Sequence, residues 1–478
     1  MSGTRRRGRT PVEAAGRGSR ARQSGGGRGG PGGTRLTRRG RFLAWGAGVT
    51  SVVVLGVGGV GAWVYNDLNN NIDSAAVDDK LGGDRPENLS PGSKNIMVVG
   101  SDSRDGANAK YGKDLSTMQS DTLMVLHIPA NRKWAAVVSF PRDSWVDIPA
   151  CEMGDGKISD PHKAKINEAF AIGGSGGEVA GAAACSIKTV EAHTGLRIDH
   201  FMSVDFSGFK GMVDALGGIE VCPKEPIKSD KAQLEMDAGC QNVDGEKALG
   251  YVRVRYGVGD GSDISRIGRQ QEFMNALAEK AQSKLASPDA LYGFLQSATK
   301  SLTTDPDLAG IKQIYGLANE LKGIPSDRLA FLTVPNYPRE ADVPTDKANV
   351  VWQFPQAADL FTSLARDKEM TKAQLQAAAK NLVYASQVRV RVLNGTGQSG
   401  RAAAVAEKLR TMGFTVSGTG NAPETVTSTS VGFPAGLEKQ AAVLSSRLPK
   451  ARSAVAADAQ AGVVTLVVGP DLDVDEMG

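Results

Sequence analysis

The residues with most chemistry to offer lie between Tyr251 and Gln271, in YVRVRYGVGDGSDISRIGRQQ. Alternation over 251–256 predicts a strand with Tyr251, Arg253 and Arg255 on one face and Val252, Val254 and Tyr256 on the other. After a glycine-rich turn, Ser262 or Asp263 offers an N-cap to a helix whose apolar positions are Ile264, Ile267, Met274 and Leu277. Arg266, Arg269 and Gln270 then share a helix face, being three and four residues apart. Guanidinium forks suit the oxygens of phosphate or pyrophosphate, which they bind in bidentate fashion. A solvated charged strand and helix start is the competing reading, and the cluster alone does not separate the two.

A second set of groups depends on the elements that must hold it. Residues 95–100 (NIMVVG), 122–128 (TLMVLHI) and 134–140 (WAAVVSF) are nearly continuous apolar runs, as expected of central strands in a covered sheet. Short connections such as 129–133 favour antiparallel neighbours. The end of the first strand, the start of the second and the end of the third then meet at one sheet edge. Asp102, Asp121 and Arg142 converge there, two hard-oxygen ligands for Mg²⁺ beside a fork for an anion. A salt-bridged sheet corner is the alternative. Lys165, in a stretch (KINEAF) read as opening a helix, is either a further phosphate contact or a solvated lysine.

Helices over 180–194 and from 206, with strands near 200–204 and before Val221, complete an alternating pattern. The apolar stripe of 206–221 is read as core. The fold class expected is α/β: an α–β–α sandwich on a mixed central sheet. Helices at 291–302, 308–321, 356–364 and 372–382 surround a further strand at 329–334.

The net charge of +4 conceals an asymmetry: residues 1–41 hold 12 arginines and one acid, Glu13, so the remainder is net acidic. That Arg/Gly-rich tail has almost nothing to bury and is expected to be disordered. Residues 42–65 (FLAWGAGVTSVVVLGVGGVGAWVY) are 24 residues without a charge, long enough to cross a bilayer. Trp45, Trp63 and Tyr65 lie near its ends, and Arg35, Arg38, Arg39 and Arg41 crowd its N-terminal flank, which puts the tail in the cytoplasm. The span exceeds a usual signal-peptide core and no convincing cleavage site follows, so an uncleaved signal anchor is expected, with the rest of the chain outside. Residues 66–93, polar and punctuated by Pro and Gly, read as a stalk.

The four cysteines, Cys151, Cys185, Cys222 and Cys240, all follow the span, where disulfides persist. Three pairings are possible. Cys151–Cys185 and Cys222–Cys240 are favoured because each closes a local loop. No CxxC or HxxxH spacing supports zinc.

GSDSR (100–104), QSDT (119–122), SFPRDSWV (139–146), KINEAF (165–170), VDFSGF (204–209), VDALGGIEV (213–221), VDGEKAL (243–249), YVRVRY (251–256) and SDISRIGRQQ (262–271) follow one another in an order that resembles the LytR-CpsA-Psr family. The resemblance covers about residues 94–290. It implies an enzyme of the bacterial cell envelope, a phosphotransferase that moves a glycopolymer from a polyprenyl-pyrophosphate carrier onto peptidoglycan through a phosphodiester. The polymer would be teichoic acid, capsule or arabinogalactan, and the acceptor usually a muramic acid hydroxyl. It further implies that Asp102 and Asp121 hold Mg²⁺ on the pyrophosphate. Arg142, Arg253, Arg255 and Arg266 would contact phosphate oxygens with Gln270 beside them, and Arg269 belongs to the same motif. Asp102, Arg253 and Arg255 are the catalytic candidates, Asp102 or a neighbour serving as base. Pyrophosphatase activity would be a side reaction, and the lipid tail would occupy a tunnel between sheet and helices.

The domains expected are thus a tail (1–41), an anchor (42–65), a stalk (66–93), a catalytic domain (94–385) and a C-terminal α/β unit (386–470). The last shows strand 388–393, loop NGTGQSG, helix 401–412, strand 414–416, helix 437–448 and strand 463–468, and resembles the LytR C-terminal domain. Its Gly395, Gly397 and Gly400 match a dinucleotide fingerprint. No acidic residue closes the next strand, and about 80 residues are too few for that fold. Two other readings stay open: a polyprenyl-lipid-binding scaffold without turnover, and a transcriptional attenuator. No helix-turn-helix pattern is visible, and the basic tail is too short to read bases, so no nucleic acid partner is expected.

Overall fold

Short connections decide the centre of the molecule. The chain divides into units 1–62 and 63–478. The computed structural model describes residues 62–101, 120–153, 156–254, 263–284, 287–380, 382–448, 451–456, 459–474 and 477. The larger unit is built on a seven-stranded sheet made of β1 (Asp73–Ser74), β2 (Lys94–Ser101), β3 (Ser120–Ile128), β4 (Ala135–Phe140), β5 (His200–Asp205), β6 (Leu302–Thr304) and β7 (Leu329–Thr333). Their spatial order is β1-β6-β5-β2-β3-β4-β7. β2, β3 and β4 are antiparallel neighbours, as their connections require. β5 and β7 join them in parallel, so the sheet is mixed.

Around it lie α1 (Val179–Thr194), α2 (Phe206–Ala215), α3 (Gly245–Arg253), α4 (Asp263–Lys284), α5 (Pro288–Thr299), α6 (Ile311–Lys322), α7 (Gln356–Ala365) and α8 (Lys372–Ala379). Period-two alternation splits β2 between two cores. Met97 and Val99 pack with Ile187 and Val190 of α1 and Leu360 of α7. Ile96 packs on the opposite side with Leu317 of α6. The sheet is therefore covered on both faces, as an α–β–α sandwich must be.

Residues 66–93 are not a stalk. Leu68, Val77 and Leu81 are buried, and β1 adds to the sheet edge in parallel with β6. Their apolar residues are spaced widely among polar ones, so composition hides the anchoring. The disulfides Cys151–Cys185 and Cys222–Cys240 are both formed, in the favoured pairing. Of the apolar span 42–65, residues 42–61 lie outside the described residues. Among the described residues no helix is long and apolar enough to cross a membrane.

The C-terminal domain contains β8 (Arg389–Asn394), α9 (Arg401–Thr411), β9 (Thr415–Asn421), β10 (Ser430–Phe433), α10 (Glu438–Ser445), β11 (Arg452–Val455) and β12 (Val464–Val468). The strand order is β9-β8-β12-β10-β11. Val390, Val392, Val405, Leu409, Leu444 and Leu466 form a core of its own. β10 and β11 were not expected from sequence. β11 is exposed at all four residues and carries no burial alternation to betray it.

Candidate active site

The sheet edge forms where three short strands predicted it. Gly100 stands opposite Thr122, Ser101 opposite Ser120, and Leu123 opposite Phe140. Asp102 follows Ser101 and lies outside the described residues, as does Arg255. Asp121 lies within β3 and Arg266 within α4, but their side chains are outside the described residues. β5 brings one carboxylate that sequence reasoning missed. Asp205 pairs with Ser101 in register, and its side chain caps α2 by accepting from the Gly208 amide at 2.7 Å. An aspartate closing a strand just before a helix was the available signal.

Residues 251–253 form the last turn of a helix, not a strand. Asp244 caps α3 by accepting from the Lys247 amide, and Ala248, Leu249 and Tyr251 turn into the core. Capping and the buried face outweigh six residues of alternation, the first of which the last turn of a helix also accommodates. Arg253 thereby lies over the Phe206 ring, 4.6 Å from guanidinium carbon to centroid. Burial pushes the Tyr251 phenol up, with the Glu272 charge adding to it, so it stays neutral.

Arg142 begins the turn after β4, with its Nε 3.6 Å from Asp143 Oδ1. The same oxygen accepts from Lys165 Nζ at 2.7 Å. Lys165 lies at the end of the strand His162–Lys165, paired with Trp145–Ile148, and does not open a helix. The helix it was assigned to begins only at Glu168. Arg269 and Gln270 support the backbone of α3: Arg269 Nη2 donates to the Val254 carbonyl at 2.5 Å and Gln270 Nε2 to that of Val252 at 3.1 Å. Arg269 is buried, while Gln270 also faces the cavity described next.

That cavity, about 350 Å³, is largely apolar. Val98 and Met124 form its sheet side, while Phe209, Met212, Phe273 and Leu277 line its helix side. Arg142, Asp205 and Arg253 line it where the sheet edge lies, with Gln270 beside them. Phe209 and Met212 come from the stripe read as core; Val213 and Leu216 of the same stripe are indeed core. Among the described residues no group of three or more His, Cys, Asp or Glu is placed to hold a metal. Among the described side chains, Asp205 is the carboxylate at this edge, in register with Ser101, and a carboxylate is the oxygen donor a hard cation such as Mg²⁺ takes.

The molecule is thus a covered mixed α/β sandwich with a largely apolar cavity and two arginines, Arg142 and Arg253, at one sheet edge. The profile of the LytR_cpsA_psr family matches residues 64–368, and the chain belongs to that family. A second profile, described as LytR cell envelope-related transcriptional attenuator, matches residues 387–472. The probable cell wall biosynthesis protein LcpB of Corynebacterium glutamicum is 38% identical over 218 residues, 44% of this chain and 47% of LcpB. The chain thus matches about half the length of that relative. The cell wall biosynthesis protein LcpA of the same organism is 29% identical over 405 residues, 78% of this chain and 76% of LcpA. A protein of Enterococcus faecalis named polyisoprenyl-teichoic acid–peptidoglycan teichoic acid transferase TagU is 30% identical over 268 residues, 56% of this chain and 80% of TagU.

Proposed function

We propose that this protein is a phosphotransferase that moves a glycopolymer from a polyprenyl-pyrophosphate carrier onto peptidoglycan. The observation that carries the reading is the amphiphilic cavity: apolar walls for a lipid tail, and Arg142, Arg253 and Gln270 at the sheet edge for its phosphates. Two relatives support the reading by name: TagU as a polyisoprenyl-teichoic acid–peptidoglycan teichoic acid transferase and LcpA as a cell wall biosynthesis protein. An acceptor hydroxyl attacks the phosphorus nearest the sugar, a new P–O bond forms, and the bond from that phosphorus to the bridging oxygen breaks. Polyprenyl phosphate leaves, and the hydroxyl proton passes to Asp102 or a neighbouring carboxylate. Such a transfer needs positioning and charge neutralisation more than covalent help. Arg142 and Arg253, with Arg255 and Arg266, supply fixed positive charge toward the phosphate oxygens. Asp102 and Asp121 would hold Mg²⁺, which when bound neutralises pyrophosphate charge. Hydrolysis in place of transfer would give pyrophosphatase activity as a side reaction.

The anchor belongs to the same proposal. Residues 42–65 span the cell membrane, 1–41 stay in the cytoplasm, and the folded domains stand outside, where two disulfides are at home. The test uses the full chain in detergent with Mg²⁺, a lipid-linked glycopolymer and peptidoglycan fragments. Mass spectrometry should detect the phosphodiester product, and Arg253→Ala should cut the rate by about 10²-fold or more. Polyprenyl lipid that co-purifies with a protein giving no turnover would overturn the enzymatic reading in favour of a binding scaffold.

A further inference from the structure

The C-terminal domain touches the transferase domain beside the turn that carries Arg142. That turn, residues 141–144, is held from behind by the hairpin Asn336–Pro338/Val350–Trp352. The Val350 amide donates to the Asp143 carbonyl at 3.0 Å, and Trp352 Nε1 donates to Ser144 Oγ at 2.9 Å in a buried contact. Ser144 in turn accepts the Ile166 amide at 2.9 Å, next to Lys165. The hairpin is thus the middle layer between the phosphate-facing turn and whatever packs behind it.

What packs behind it is the C-terminal domain. Arg447, 7% exposed, donates from Nη2 to the Trp352 carbonyl at 3.4 Å, its guanidinium 4.6 Å from the Phe354 centroid and 5.7 Å from that of Phe414. Arg339 donates to the Thr411 carbonyl at 3.2 Å, and Asp342 accepts the Ser386 amide at 2.8 Å. Lys408 of α9 reaches Asp147, three residues past Ser144, at 3.4 Å. The approach is close enough to demand glycine: a Cβ on Gly413 (φ +90°) would lie 2.6 Å from Asp342 Cβ. A cation buried among aromatic rings is costly to move, so this contact has one well-defined arrangement.

We propose that the C-terminal domain positions Arg142 for phosphoryl transfer, with Arg447 as a positioning residue acting through Trp352 and Ser144. This rests on the phosphotransferase reading above. Displacements of about 1 Å at such a group cost up to 10²-fold in rate. Arg447→Met in the full chain removes the guanidinium and keeps an apolar stem. It should lower kcat about tenfold while KM for the lipid-linked donor stays within about twofold, and amide hydrogen exchange over 141–148 should quicken. Arg410→Gln, on the same helix as Lys408 but paired with Glu407 at the surface, should change neither. Wild-type kcat and wild-type exchange over 141–148 in folded Arg447→Met would overturn the proposal. Should that variant not fold, Lys408→Gln carries the same two measurements. A wild-type protein without turnover would sink the phosphotransferase reading and leave exchange to decide the positioning role. An inactive Arg253→Ala beside an unaffected Arg447→Met would do the reverse.

Discussion

Single side chains divide into those whose chemistry is readable from type and those whose role depends on direction. Arg142 and Arg253 belong to the first kind: both line the cavity, although Arg253 comes from a helix rather than the expected strand. Arg269 belongs to the second. Spacing puts it on a face with Gln270, but only the packed structure shows the guanidinium buried on the Val254 carbonyl. His127 belongs to no metal-ligand spacing in the sequence. It is buried near the end of the interior strand β3, Nδ1 2.8 Å from Asn95 Oδ1 and Nε2 3.3 Å from Asp367 Oδ1. Burial pushes its pKa down to about 4, partly opposed by the Asp367 charge. The unfolded chain, at about 6.5, takes up that proton first. Stability from this group is therefore whole above about 6.5 and falls as pH drops toward about 4, on the order of 1 kcal/mol per pH unit. Denaturant titrations between pH 7 and 4.5 should show His127→Asn losing less stability on acidification than wild type. Parallel curves would refute the assignment.

Elements were most legible where connections are short. β2, β3 and β4 form the predicted edge because five residues between Ile128 and Trp134 leave an antiparallel pair little alternative. Lys165 was misplaced because residues 149–161 separate its strand from its partner, too far for local pattern to announce a hairpin. The helices over the cavity meet at glycines, which pattern alone cannot rank. A Cβ on Gly245, at the start of α3, would lie 2.4 Å from the Lys210 carbonyl oxygen of α2. Gly245→Ala should force α3 off α2 and destabilise the protein by about 1–3 kcal/mol. Gly316 in α6 is exposed and meets nothing within 4 Å, so Gly316→Ala should stabilise by about 1 kcal/mol through helix propensity. Chemical denaturation of the two variants should show opposite signs, and a shared sign would mean the contact at Lys210 yields without cost.

At the scale of the whole chain, the division into a large and a small α/β domain was readable, because the hydrophobic pattern restarts at Val388. The contact between them was not, since Arg447, Trp352 and Ser144 are scattered through the sequence and meet only in three dimensions. The same blindness hid β1. Two residues long, β1 closes the open side of β6 and leaves the sheet almost no free backbone on that flank. Residues 66–93 are therefore a hem on the fabric of the domain. A fragment begun at residue 94, where the stalk reading would cut, bares the outer backbone of β6 and the sites vacated by Leu68, Val77 and Leu81. Light scattering should find that fragment aggregating through its uncovered strand, while one begun at residue 63 stays monodisperse. Equal behaviour would mean that β1 guards nothing. Wherever copies of this chain stand close together, the hem would keep them from adding their strands to one another's sheets.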